Sequence, residues 1–252
     1  MKEQTLQVKT PDGTMETFLA MPDSDGPFPP VVLFMDVWGM REQLRDLARF
    51  VAAEGFACAV PSLYYRNGGV HFDHRHPDGR TQSISLLSDA DRAKMLEYAS
   101  HLTDDMAVSD AGAVIDHLRS IDGISRGYAG SFGFCMGGRH VFKVGAGHPD
   151  IFRAAASLHG TYLAVDQPGS PHRVVPNMRG EVYCGYGALD PFTPPETAAA
   201  IRAAFAGAPA VLHERLHEDT HHGYAIPDRD VYNEAASLAD WQTIFDMYRR
   251  VL

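Results

Sequence analysis

Residues 130–138 read GSFGFCMGG. A cysteine stands between glycines at 133 and 137, in a chain that has only three cysteines, Cys58, Cys135 and Cys184. A buried structural thiol needs no glycine on either side. A nucleophile on a sharp strand-to-helix turn does, because a β-carbon at either flanking position would collide with the strand or the helix. Two such glycines around any of three cysteines arise by chance at about 1–2%, since glycine is roughly 7% of residues. The flanks agree. GYAGSFGF (127–134) reads as a buried strand and a helix is expected from about Met136. A helix N-terminus beside a thiol lowers its pKa and supplies N–H donors. The plain alternative is a small buried cysteine at a tight turn.

Outward from this turn the chain repeats one grammar. An alternating start predicts a β-hairpin, with the turn TPDGT between Leu6–Val8 and TMETFLAM (14–21). VVLFM (31–35) is a short continuous apolar run, a strand buried on both faces. Residues 41–54 place Leu44, Leu47, Ala48 and Val51 at helical spacing, with Gly55 as a stop. FACAVP (56–61) is the next strand. This β–α–β order implies a parallel sheet. Residues 62–87 are irregular, and helical periodicity returns from about Ser88, with Thr103 as an N-cap. RAAASLHG (153–160), EVYCGYGALD (181–190) and VLHERLHE (211–218) supply further strands. PPETAAAIRAAFA (194–206) and residues 228–252 supply helices. The expected fold is α/β: one domain over 1–252, about eight mostly parallel strands with helices on both faces, and 62–104 as a lid or loop insertion.

Composition narrows the function. The net charge of −10 disfavours nucleic-acid or anionic-membrane partners. No run of 18 apolar residues and no signal-type start occurs, so a cytoplasmic protein is expected. The cysteines show no zinc-type spacing and suggest free thiols.

A thiolate nucleophile wants a base, and the base wants an orienting carboxylate, in the chain order nucleophile, acid, histidine. Asp190 stands at the C-terminal end of a predicted strand, where such sheets bind ligands. His222, in DTHHGYAIP after the last strand, is the histidine candidate, with neighbouring His221 as its rival. Oxyanion donors are expected from the Met136 N–H and from Val37 after VVLFM. Trp38, Tyr64, Tyr65 and Phe72 fall in loops at strand ends, as pocket or core aromatics. His71, Asp73, His74 and His76 could suggest a metal, but one irregular loop without a second anchor reads as a solvated loop.

Together these pieces resemble the dienelactone hydrolase family, within the α/β-hydrolase fold. The matching segments are MDVWGM (35–40), VPSLYYR (60–66), GFCMGG (133–138), GALDPFTPPE (187–196) and the terminal HHGYAIPDRDVYNEAASLADWQ (221–242). They keep the family's order over most of the chain. The resemblance implies a Cys135–Asp190–His222 triad, no metal or organic cofactor, and a small-molecule ester or lactone as substrate, with the chain a monomer or homodimer. It breaks at two positions. Asp36 stands where the family carries a glutamate that meets the cysteine, and Ile226 stands where it carries a substrate-binding arginine. Arg66 and Arg229 are the candidates for an anion site, and Asp36 for modulating the thiol. Other readings of the same residues are a thioesterase or acyl transferase, and a redox-sensing thiol without turnover.

Overall fold

The computed structural model describes residues 1–252. The opening alternation forms a hairpin, β1 (Lys2–Thr10) and β2 (Gly13–Met21), antiparallel, with Thr10 opposite Gly13. Leu6 and Val8 are buried while their neighbours are exposed, the period-two burial of a strand with one wet face. β3 (Pro30–Phe34), β4 (Ala57–Pro61) and β5 (Ala129–Phe134) are buried at every position. Their continuous apolar runs therefore mean central strands covered on both sides. β6 (Phe152–Leu158), β7 (Gly180–Gly187) and β8 (Ala210–His217) complete an eight-stranded sheet in the order β1-β2-β4-β3-β5-β6-β7-β8. Only the β1 and β2 pairings are antiparallel; from β4 onward every neighbour is parallel.

The helices are α1 (Glu42–Ala53), α2 (Asp89–His101), α3 (Asp104–Leu118), α4 (Met136–Gly147), α5 (Pro195–Phe205) and α6 (Glu234–Val251). Side chains alternate faces along a strand, so β5 sorts them. Phe132 packs edge-on against Trp241 of α6 at 5.1 Å. Gly133, one residue on, faces α4 instead. α1 joins α6 on the first face through Phe50, which meets Trp241 and Phe245 at 5.2 and 5.4 Å. α3 packs beside α4 on the second. One apolar core fills both layers.

The Thr103 side chain accepts from the Met106 N–H at 3.2 Å, the expected cap of α3. The terminal helix starts later than its apolar spacing suggests, at Glu234 rather than near residue 228. Residues 228–230 are drawn away from helical pairing. The Thr81 N–H donates to the Asp228 carbonyl (2.7 Å) and the Asp230 N–H to the Thr81 carbonyl (3.1 Å). Asn233 then caps the helix by accepting from the Ala236 N–H at 3.0 Å. These bonds fasten the irregular 62–87 segment, which holds only two short 3₁₀ turns, to the loop after β8.

A β-carbon on Gly137 would fall 2.1 Å from the Phe34 carbonyl oxygen, a backbone atom that cannot swing aside. Gly137→Ala is therefore expected to cost more than about 4 kcal/mol of stability, among the largest single-residue losses. Urea unfolding measures it; a cost below about 1 kcal/mol would mean that the close approach is not real.

Candidate active site

Cys135 sits between β5 and α4 with φ +55° and ψ −117°. This is a conformation that L-residues rarely adopt, and non-glycine strain of this kind is held only where neighbours over-determine it. Here they do. The Cys135 N–H donates to the Leu158 carbonyl (3.2 Å), and its carbonyl accepts from the Thr161 N–H (3.1 Å). A β-carbon on Gly133 would lie 2.4 Å from the Gly137 carbonyl, so strand and helix can meet only with glycine there. Met136 is the first residue of α4, and its N–H has no acceptor within the helix. Val37, after β3, makes no hydrogen bond with its own N–H. Cys135 is half-buried, whereas Cys58 and Cys184 are fully buried. Burial pushes the Cys184 thiol up to about 12 and Cys58 higher still.

Asp190 follows β7 and is buried; its Oδ1 accepts from the Phe192 N–H at 2.8 Å. Its Oδ2 lies 2.8 Å from Nδ1 of His222, in the loop after β8. His221 stays exposed and makes no such bond, which separates the two adjacent histidines. Burial alone would push the His222 imidazole down. The Cys135 thiolate charge and the Asp190 hydrogen bond outweigh it and raise it from 6.5 to about 10. The imidazole therefore favours the cationic form between sulfur and carboxylate. Val37, Trp38, Cys135, His222 and Arg229 share the wall of one cavity of about 50 Å³.

Arg229 is buried, yet its Nε has no hydrogen-bond partner. Its nearest carboxylate is Asp36, with Nη1 3.9 Å from Oδ2, and its guanidinium lies 5.0 Å from the Trp38 ring centroid. Burial lowers its pKa.

Asp36 does not turn to Cys135. Its Oδ1 accepts from Arg41 Nη1 (2.7 Å) and the Trp38 N–H (3.1 Å), and its Oδ2 from Arg41 Nη2 (3.0 Å). A bidentate arginine occupies the carboxylate that the family resemblance aims at the thiol. Arg66 is also absent from the cavity. It is held instead by Asp110 (2.8 and 2.9 Å) and Asp12 (2.7 Å). Tyr64 is buried beneath the cavity wall rather than lining it, donating to the Val37 carbonyl at 3.2 Å. Tyr65 is spent on Thr10 and Asp110, and Phe72 packs against Tyr98 in the core. The histidines of the 71–76 loop do not converge: His76 pairs with Asp230 at 3.1 Å while His74 edges against Trp38.

Several residues of the site escape sequence reasoning. Phe192 packs on one side of His222 at 4.7 Å and His159 on the other at 4.9 Å. His159 is buried with both ring nitrogens unpaired and φ +38°. Burial, then the charges of His222 and Arg229, push it well below 6.5, so it is a neutral ring beside a charged one. Its place at the C-terminal end of β6 was a usable signal. Ile84, Leu96, Thr161 and Tyr162 complete the cavity wall. No local pattern marks them.

A sequence profile of the dienelactone hydrolase family matches residues 15–252. Among curated relatives, a provisionally named carboxymethylenebutenolidase of Escherichia coli O157:H7 is 26% identical over 94% of this chain and 82% of its own. One of Saccharolobus solfataricus is 23% identical over 94% of both chains. Among solved structures, a provisionally assigned dienelactone hydrolase from Klebsiella pneumoniae superposes with a TM-score of 0.82 at 23% identity, covering 99% of this chain and 98% of that one. A metagenomic dienelactone hydrolase-like promiscuous phosphotriesterase gives a TM-score of 0.74 at 19% identity, covering 100% and 99%. These likenesses show the α/β-hydrolase fold.

The raised imidazole has a pH signature. An unfolded histidine titrates near ~6.5. A folded-state value of about 10 means that the stability contributed by the charged ring is complete below the unfolded value and is lost as pH rises toward 10. The unfolding free-energy difference between wild type and His222→Gln should shrink between about pH 6 and pH 10. A difference that grows over that range contradicts the cationic imidazole.

Proposed function

The chain belongs to the dienelactone hydrolase family, and from that premise we propose that it hydrolyses activated carboxylic esters or lactones through an acyl-enzyme on Cys135. The observation that supports this reading is that His222, bonded to the buried Asp190 at 2.8 Å and hydrogen-bonded to the strained Cys135, opens with that cysteine on one cavity. His222, oriented by Asp190, holds the proton released by the thiol. The thiolate attacks the carbonyl carbon. The Val37 and Met136 N–H groups, both without an internal acceptor, donate to the oxyanion. Collapse expels the leaving group, which takes the proton from His222. Water deprotonated by the same imidazole then attacks the thioester and frees the acid and Cys135.

Substrate class follows from the leaving group. A thiolate corresponds to a pKa near ~8.5, whereas a plain alkoxide is nearer to water's value of about 15.7. A tetrahedral intermediate carrying both ejects the sulfur and returns to start. A phenolate or enolate, near the ~10 of tyrosine, competes far better. Aryl esters, enol lactones and thioesters therefore suit this nucleophile, and the carboxymethylenebutenolidase activity in the relatives' names is one reaction of that kind. The arginine expected four residues after the histidine is replaced by buried Ile226. Arg229, with an unpartnered Nε on the cavity wall, supplies a cation for an anionic substrate group instead.

p-Nitrophenyl acetate hydrolysis is the direct test. Sustained turnover by wild type should fall at least about 10³-fold in Cys135→Ala, as when other catalytic nucleophiles are removed. Aryl esters should be preferred to alkyl esters. A single burst without turnover would identify a trapping thiol and end the hydrolase reading.

A further inference from the structure

Two cavities meet at His222, and they differ in the reactive group they contain. The smaller, about 50 Å³, includes the Cys135 sulfur. The larger, about 560 Å³, includes His222 but not Cys135. Ile84, Phe192, His222 and Arg229 stand between them and belong to both.

The chemistry assigns a substrate half to each. The acyl carbon bonds to sulfur, so the acyl group must lie in the chamber that holds the sulfur. The leaving oxygen takes its proton from His222, so the group attached to it must extend past the imidazole into the other. On the same measure the acyl chamber has about a tenth of the volume of the leaving-group chamber, 50 against 560 Å³. It favours a short acyl group over a long chain. Its Val37 and Trp38 walls are buried, and the Trp38 backbone is pinned by Asp36, so it has little room to expand. The leaving-group chamber is lined by apolar Leu86, Leu189, Pro191 and Val231. Leu86 and Leu189 are 59% and 50% exposed, large apolar side chains at the mouth. Exposed apolar surface beside a cavity marks a place where ligand binds.

We infer that the preferred substrates are short-acyl esters of bulky, apolar phenols or enols, an assignment that rests on the Cys135 acyl-enzyme reading. In the reaction the sulfur–acyl bond forms as the acyl–oxygen bond breaks, and the phenol leaves with the His222 proton. Water then breaks the thioester to give a short carboxylic acid. Phe192 is the partition that fixes specificity. Its ring packs at once on His222 (4.7 Å) and on Tyr162 (6.1 Å) across the join.

Two ester series read the chambers separately. p-Nitrophenyl acetate, butyrate and octanoate lengthen the acyl group, whereas 4-methylumbelliferyl acetate enlarges the leaving group at constant acyl. For wild type, kcat/KM should fall at least about tenfold from acetate to octanoate, the scale of a methylene that a pocket rejects. It should hold or rise for the methylumbelliferyl ester. Phe192→Ala should relieve the octanoate penalty, and Leu189→Asp should raise KM more for methylumbelliferyl than for p-nitrophenyl acetate. A kcat/KM that stays level or rises with acyl length, while Cys135→Ala abolishes turnover, overturns the chamber assignment and leaves the hydrolase standing. Turnover of both series that survives Cys135→Ala overturns the Cys135 acyl-enzyme reading itself.

Discussion

The contact between Gly137 and the Phe34 carbonyl is the constraint from which the rest of the site hangs. It lets α4 start directly over the C-terminal edge of the sheet, between β3 and β5. That approach forces the turn at 133–137 to be tight, and a tight turn leaves Cys135 at φ +55° with its side chain above the sheet. The same closeness brings the first N–H groups of α4 beside the Val37 loop. A half-buried thiol on a strained turn and two unpaired N–H donors are thus consequences of one backbone packing event. The strain at Cys135 is held by hydrogen bonds on both sides of its peptide, to Leu158 and from Thr161.

Around this turn the protein buries more charge than a core of its size needs. Asp36 and Arg41 are buried together and joined in a bidentate pair, with Asp228 on the Arg41 Nε at 3.3 Å. Such pairs add little net stability, because desolvation cancels much of the attraction. What they do here is geometric. Asp36 locks the Trp38 backbone, and Asp228 ties the Val37 loop to the loop that carries His222 and Arg229. Thr81 donates to Asp228 and Ser83 to Asp230, so the 62–87 segment is fastened to the same loop. A second buried carboxylate, Asp240 on α6, accepts from Tyr183 and Tyr224 and meets His217, each within 2.6 Å. It braces β7 and the loop that begins at His222 from below. Asp190 is left as the carboxylate that meets His222.

Departures from the family pattern also have a geometric reading. Asp36 is one methylene shorter than the expected glutamate, and the reach it lacks toward Cys135 is matched by its fit to Arg41. Ile226 is fully buried. Arg229 returns to the cavity after a tight turn closed by the Arg229 N–H on the Ile226 carbonyl at 3.1 Å.

Much of this was legible before any coordinates. Continuous apolar runs, helical spacing from Leu44 to Val51 and the glycines around Cys135 specify strands, helices and the turn, because each depends on neighbours in the chain and on backbone sterics. The terminal helix was overextended, because the pairing of Thr81 with residues 228–230 crosses about 150 residues and leaves no local trace. Arg66 is placed by the same kind of contact: whether a cation faces a cavity or a carboxylate such as Asp110 is settled by distant partners. By itself the sequence determined the order of elements, the sharp bend and the residue types able to do the chemistry. Only the tertiary structure decided which of two adjacent histidines meets Asp190, that Arg41 takes Asp36, and that Phe192 and His159 enclose the imidazole, since burial and hydrogen-bond pairing are properties of the packed chain.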